Sequence, residues 1–175
     1  MKITLIRHTS VDVAAGICYG QSDVQVAASF ELEAAFVKSK LASFHFEAAY
    51  SSPLQRCSKL AHYCGFDHPI IDNRLMELNF GDWELQAWDK ITDPQLQQWY
   101  NNWTDETPTN GESFKALIQR TELFLEKARD LNHNHMAVFT HAGIIRAVAI
   151  ILGKITIDNA FELQVDYGQV FTFDL

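Results

Sequence analysis

At 175 residues with 47% hydrophobic side chains, the chain is long enough for one sizeable core and too apolar for intrinsic disorder. Its 22 acidic residues against 14 basic ones give a formal net charge of −8. That balance excludes general nucleic-acid binding and leaves room only for a small anion met by a few converging arginines.

Lys2 to Ile6 (Lys-Ile-Thr-Leu-Ile) is a β-branched apolar run expected to form a buried strand. It stops at Arg7-His8, followed by Thr9-Ser10. Carboxyl ends of strands are where open α/β sheets bind ligands. An arginine there supplies a fixed charge, and a histidine can act as nucleophile, base or acid. The same dipeptide also closes ordinary strands, so it decides nothing alone. Val11 to Val26 reads as an irregular loop punctuated by Gly16 and Gly20. From Ser29 the period becomes helical, with Phe30, Ala34, Val37, Leu41 and Phe44 on one face. Glu31 and Glu33 near its start and Lys38 and Lys40 near its end suit the helix dipole. Phe46 to Tyr50 is expected as a second strand.

Ser51-Ser52-Pro53-Leu54-Gln55-Arg56 reads as a helix start, with Ser52 as N-cap, Pro53 in the first helical position and Gln55 completing a capping box. Arg56 then lies in the first turn and leans back toward the edge that holds His8. The helix continues through Leu60, Ala61 and Cys64 to Gly65. Cys57 and Cys64, seven apart, read as core thiols. With Cys18 they are an odd set of three without disulfide or zinc spacing. Pro69 to Asp72 is a candidate third strand.

Glu77, between Met76 and Leu78, is expected to be partly desolvated, which would raise its pKa toward that of a useful general acid. Asp82 and Glu84 read as solvated loop carboxylates. Trp83, Trp88, Trp99 and Trp103 are expected to form the core of a helical cover rather than a pocket wall. Thr107 to Gly111 holds a proline and an Asn-Gly turn, and an amphipathic helix should run from Glu112 to Leu131. His133 and His135, in the Asn-His-Asn-His connection from Asn132, read as solvated loop residues. Met136 to Thr140 is another buried strand, ending at His141-Ala142-Gly143. An apolar helix, Ile144 to Leu152, follows, and its N-terminus offers free N–H groups to an anion. Phe161 to Val165 and Val170 to Phe173, either side of a Gly168 turn, are expected as closing strands.

With no repeat or linker, residues 1–175 read as one domain. No apolar run could span a membrane, and Arg7 and His8 come too early for a signal-peptide core, so a cytoplasmic location is expected. A homodimer is compatible with the pattern.

His8, Arg7, Arg56, His141 and Glu77 share one edge in this reading, and the set suits phosphate-ester chemistry. Neutral His8 would attack phosphorus while Arg7, Arg56 and His141 hold the phosphoryl oxygens. Glu77 would protonate the departing alkoxide and later activate water, with no metal or cofactor required. Other phosphatase and hydrolase designs are missing: no cysteine has an arginine six positions later, and there is no Asp-x-Asp, no G-x-x-x-x-G-K-[ST] loop and no G-x-S-x-G elbow.

Leu5-Ile6-Arg7-His8-Thr9, Ser51 to Arg56, Glu77 to Glu84, Asn110-Gly111-Glu112-Ser113 and Thr140 to Gly143 together resemble the histidine phosphatase superfamily, also called phosphoglycerate mutase-like. The resemblance implies a three-layer α/β/α sandwich whose sheet is mostly parallel with an antiparallel edge. It implies a phosphohistidine on His8, phosphate contacts from Arg7, Arg56 and His141, and Glu77 as proton donor. Thr9 and Ala142 stand where the family usually has glycine, and Ala14 near a frequent asparagine; at Ala142 the backbone N–H suffices. Cys18 to Asp23 and Glu77 to Glu84 are similar to the α-ribazole 5′-phosphate phosphatase branch. That implies a small phosphomonoester substrate near Tyr19, Gly20 and Gln21, with Tyr19 or a tryptophan stacking on its base. A broad-specificity phosphatase, a mutase, and a silent phosphate-binding relative are the competing expectations.

Overall fold

Two apolar hexapeptides make the centre of the sheet. β1 (Lys2–Arg7) and β4 (His135–Thr140) run parallel, Lys2 opposite His135 through Arg7 opposite Thr140. Each presents side chains to both faces, which is why neither sequence alternates in polarity. In the computed structural model, which describes residues 1–131 and 133–175, β2 (Ala48–Ser51) lies parallel on the other side of β4. β3 (Ile70–Ile71) extends the sheet beyond β2, and β5 (Val170–Asp174) pairs antiparallel with β1. The order is β3-β2-β4-β1-β5, parallel throughout except for one edge pair.

Helices cover both faces, as expected for three layers. Ile6, Ala137 and Phe139 pack against α1 (Phe30–Leu41) and α2 (Gln55–Tyr63) through Ala34, Val37, Leu41, Cys57, Leu60 and Ala61. Ile3, Leu5, Met136 and Val138 meet α4 (Phe114–Asp130) and α5 (Ala142–Ile151) on the other face. α3 (Gln95–Asn101) stands apart, in a third cluster where Trp83 and Trp99 pack with Cys18 and Ile91.

Several boundaries differ from the sequence reading. Phe44 falls beyond α1 and stacks on Phe46 and His135 instead. His135 is no loop residue: it opens β4, and its Nε2 lies 2.8 Å from the Thr4 hydroxyl. His133 is half-buried beside Glu47, and Asn132 lies outside the described residues. α2 begins at Gln55, two residues later than Pro53 would set it, and Ser52 accepts from the Leu54 N–H rather than closing a capping box. Gln55 turns outward to Asp23, whose carboxylate takes its N–H at 2.7 Å. α4 starts at Phe114, with Ser113 as its cap to the Ala116 N–H.

The expected strand at Phe161 to Val165 does not form. Ala160–Glu162 is a 3-10 turn, and Arg146 of α5 takes the Leu163 carbonyl inside the expected strand and the Ala160 carbonyl just before it. No helix among the described residues is long and apolar enough to cross a membrane.

Candidate active site

β1 and β4, adjacent and parallel, deliver their terminal histidines to one spot. The His8 N–H bonds the Thr140 carbonyl, and the His8 and His141 rings lie 5.2 Å apart, edge to face. Both side chains are buried. His8 Nδ1 sits 2.7 Å from the Thr9 carbonyl, which can only accept, so Nδ1 carries the hydrogen and Nε2 keeps its lone pair. His141 caps α5 and places Nε2 2.9 Å from Ser52 Oγ. Ser52, read from sequence as a cap, thus also contacts the candidate site.

Arg56 enters from the first turn of α2 and is fully buried. It donates to the carbonyls of Ser22 at 2.8 Å and Gly20 at 2.6 Å, and Arg7 donates to the Val165 carbonyl. Among the described residues neither arginine has a carboxylate within ion-pair distance, and the Nε atoms of both are buried without an acceptor. Buried donors left unmatched are costly, and two uncompensated guanidiniums are what an anion would satisfy.

Their field acts on the histidines. Burial first, then the Arg56 charge, hold the His8 pKa well below the ordinary histidine value; the Thr9 bond opposes this and Arg7 adds to the lowering. His141 is lowered likewise, by burial, then by Arg56 and His8. Both imidazoles are therefore neutral at pH 7, and stability should follow. The unfolded chain protonates both near pH 6.5, whereas the folded chain resists to much lower pH. Their contribution is complete above about pH 6.5 and lost as pH falls below it, by about 1.4 kcal/mol per unit for each histidine. Urea unfolding should register a loss of about 2 kcal/mol between pH 6 and pH 5, with His135 adding in the same direction. His141→Gln should roughly halve that slope.

Glu77 faces this cluster from the irregular segment after β3. It is half-buried, and its carboxylate accepts from the N–H groups of Leu78 (2.9 Å) and Gly143 (3.2 Å). A Cβ on residue 143 would lie 2.2 Å from Glu77 Oε1, so glycine there is what admits the carboxylate to the start of α5. Ala142, beside it, forms the first residue of that helix. Beyond Glu77 opens a cavity of about 300 Å³, walled by Phe80, Trp88, Trp99, Trp103 and Phe114, with Tyr19 and Gly20 at its border. Three of the four tryptophans thus line a pocket as well as cover the core; only Trp83 does not reach it.

Tyr19, Gly20 and Gln21 take different stations. Tyr19 lies under Arg56, ring centroid 5.4 Å from the guanidinium, and its hydroxyl is 2.9 Å from that of Tyr167. Gly20, at φ +25°, turns its carbonyl to Arg56, and a Cβ there would meet Glu84 Oε1 at 2.3 Å. Gln21 reaches the Glu77 carbonyl at 2.9 Å. Glu84 is not a solvated loop carboxylate. It accepts from the N–H groups of Gln21, Ser22 and Phe80 and so pins the turn that serves Arg56. Ala14 is exposed in the loop before it. Sequence reasoning missed Tyr167, which stacks on Arg7 at 4.0 Å and lies 5.5 Å from His8. Its only signal was an aromatic next to Gly168. Among the described residues no cluster of metal-ligating side chains occurs.

The sequence profile of the histidine phosphatase superfamily (branch 1) matches residues 3–175. The chain belongs to that superfamily. An adenosylcobalamin/alpha-ribazole phosphatase from Escherichia coli strain K12 is 27% identical to this histidine phosphatase, over 96% of its chain and 87% of the relative. A probable phosphoglycerate mutase from Escherichia coli O1:K1 is 29% identical over 97% of the chain and 86% of its own length. Among solved structures, the alpha-ribazole phosphatase from Shigella flexneri superposes with a TM-score of 0.91 at 24% identity, covering 100% of this chain and 91% of that one. That likeness concerns the fold.

Proposed function

We propose that this histidine phosphatase hydrolyses phosphomonoesters through a phosphohistidine on His8, and that its substrate is α-ribazole 5′-phosphate. The observation that carries the reading is the neutral His8, its Nδ1 tied to the Thr9 carbonyl, buried beside two guanidiniums that lack a counter-charge. Nε2 attacks phosphorus and the bond to the leaving oxygen breaks. Arg7, Arg56 and His141 take the phosphoryl oxygens, and charge preorganised in this way usually contributes more to catalysis than any other effect. Protonated Glu77 gives its proton to the departing alkoxide. The carboxylate then takes a proton from water, which attacks the phosphohistidine, releases phosphate and returns neutral His8.

The substrate follows from the cavity on the far side of Glu77. Its aromatic walls suit a flat heteroaromatic base, whose burial and stacking both contribute to binding. Relatives named adenosylcobalamin/alpha-ribazole phosphatase support the same reading. A mutase handling phosphoglycerates would want a polar, cationic pocket; here Arg146 is the cavity's only cation among its lining residues. The reading further takes residues 1–175 as one domain acting on a small molecule in the cytoplasm.

The experiment is phosphate release from α-ribazole 5′-phosphate, with EDTA present, beside sugar phosphates and phosphoglycerates. A kcat/KM for α-ribazole 5′-phosphate at least about 100-fold above the others is expected from the aromatic pocket. Equal, slow hydrolysis of the whole panel would leave a general phosphatase and discard the assigned substrate. Dependence on a bisphosphorylated primer would mean a mutase.

A further inference from the structure

Glu77 lies between two 3-10 turns, Asn73–Leu75 and Gly81–Trp83, and no helix or strand fixes its backbone. Side chains do so instead. Arg120, on α4, donates through Nη2 to the Glu77 carbonyl (2.9 Å) and through Nη1 to the Arg74 carbonyl (2.6 Å). The same guanidinium grips Glu112 at two points, Nε to Oε2 at 3.1 Å and Nη2 to Oε1 at 2.6 Å. Glu112 Oε1 in turn accepts the Asn79 N–H at 3.0 Å. One ion pair therefore holds the backbone before, at and after Glu77, at residues 74, 77 and 79. Both partners are mostly buried, each 18% exposed.

We propose that the Arg120–Glu112 pair is the positioning device that holds Glu77 at the geometry proton transfer requires. The inference rests on Glu77 being the proton donor. Neither Arg120 nor Glu112 is among the groups placed around the phosphoryl oxygens, so neither is a catalytic residue. Breaking a mostly buried pair costs stability, because the remaining charge is left uncompensated. It also frees the backbone at Glu77, and a displacement of about 1 Å at a reacting group can lower a rate about 100-fold. The pair's effect on catalysis falls on leaving-group protonation. Only a planar fork reaches two backbone carbonyls and a carboxylate together, so lysine does not replace Arg120.

The test compares kcat/KM, which covers steps through phosphoryl transfer to His8, for glycerol phosphate and p-nitrophenyl phosphate. An alkoxide needs a proton to leave; nitrophenolate does not. Arg120→Met should lower kcat/KM for glycerol phosphate by about 10- to 100-fold. For p-nitrophenyl phosphate it should stay within about threefold of wild type. Arg120→Lys, which keeps the charge that also reaches His141, should behave like Arg120→Met. In a Glu77→Gln background, Arg120→Met should have no further effect. Glu112→Gln keeps an acceptor for the Asn79 N–H and removes the charge, and it should give the same pattern if Arg120→Met does not fold.

Equal losses on both substrates would overturn the proposal, as would full activity of these variants or an additive loss in the double variant. If Glu77→Gln itself slowed both substrates alike, the reading of Glu77 as proton donor would fail and the proposal with it. That outcome is distinct from a normal Glu77→Gln pattern that Arg120→Met does not reproduce.

Discussion

His8→Ala is expected to remove turnover, with a loss on the order of 10⁶ in kcat, the scale seen when a nucleophile that works as part of a unit is deleted. No second group can take over. His141 is the other imidazole at the site, but its Nε2 is engaged with Ser52, and Cys57 is a buried thiol whose pKa burial pushes far up. Substrate labelled at phosphorus should leave an acid-labile, base-stable label on the wild-type chain and none on the variant. Retention of label by His8→Ala would place the nucleophile elsewhere. Binding should outlast catalysis, since Arg7 and Arg56 remain. Inorganic phosphate at 100 times its Kd should still raise the unfolding free energy of the variant by about 2.7 kcal/mol. A protein that only binds phosphate would show the second effect and never the first.

Glu77→Gln is the second large effect, and it depends on substrate. General acid catalysis is worth about 10²- to 10⁴-fold where the leaving group needs a proton. Alkyl phosphates, α-ribazole 5′-phosphate included, should lose that factor in kcat/KM, while p-nitrophenyl phosphate should lose little. Glutamine keeps one oxygen for the Leu78 N–H at 2.9 Å and gives up the longer bond from the Gly143 N–H at 3.2 Å, so the side chain stays the same size and loses only its proton-carrying oxygen. A plot of log kcat/KM against leaving-group pKa should be steep in the variant and shallow in wild type. Parallel lines would remove Glu77 from the proton path.

The sheet was legible because Lys2 to Ile6 and Met136 to Thr140 are short, mostly apolar runs with side chains for both faces, as a strand covered on both sides requires. Arg7, His8, Arg56 and His141 were legible because each ends a strand or starts a helix, where local signals fix both place and direction. Glu77 was singled out for its apolar neighbours, and the structure places it half-buried at the start of α5. Tyr167 and the Arg120–Glu112 pair were not, since their roles rest on contacts across 40 residues or more for Arg120–Arg74 and Arg120–Glu77, and across 158 for Arg7 to Val165 beside Tyr167. Periodicity carries no such information. The failed strand at Phe161 to Val165 has the same origin: Arg146, from a helix ten residues or more earlier, takes the Leu163 carbonyl within it and the Ala160 carbonyl just before it. Glu84 was misjudged because its acceptor role is set by backbone N–H groups 62 and 63 residues away.

The pairing of β1 with β4 and β5 bears on how the chain reaches its fold. Lys2 meets His135 on one side and Asp174 on the other, so β1 has no neighbour in the sheet until the segments around residues 135 and 174 exist. Closing loops of that length precedes any gain from the contacts they bring, which slows folding. Until then Ile3, Leu5 and Ile6, fully buried at the end, stand in an unpaired apolar strand, the kind of segment that aggregates. His8, at the tip of that strand, precedes most of its surroundings in the chain, so assembly of the candidate site and completion of the sheet are one kinetic event.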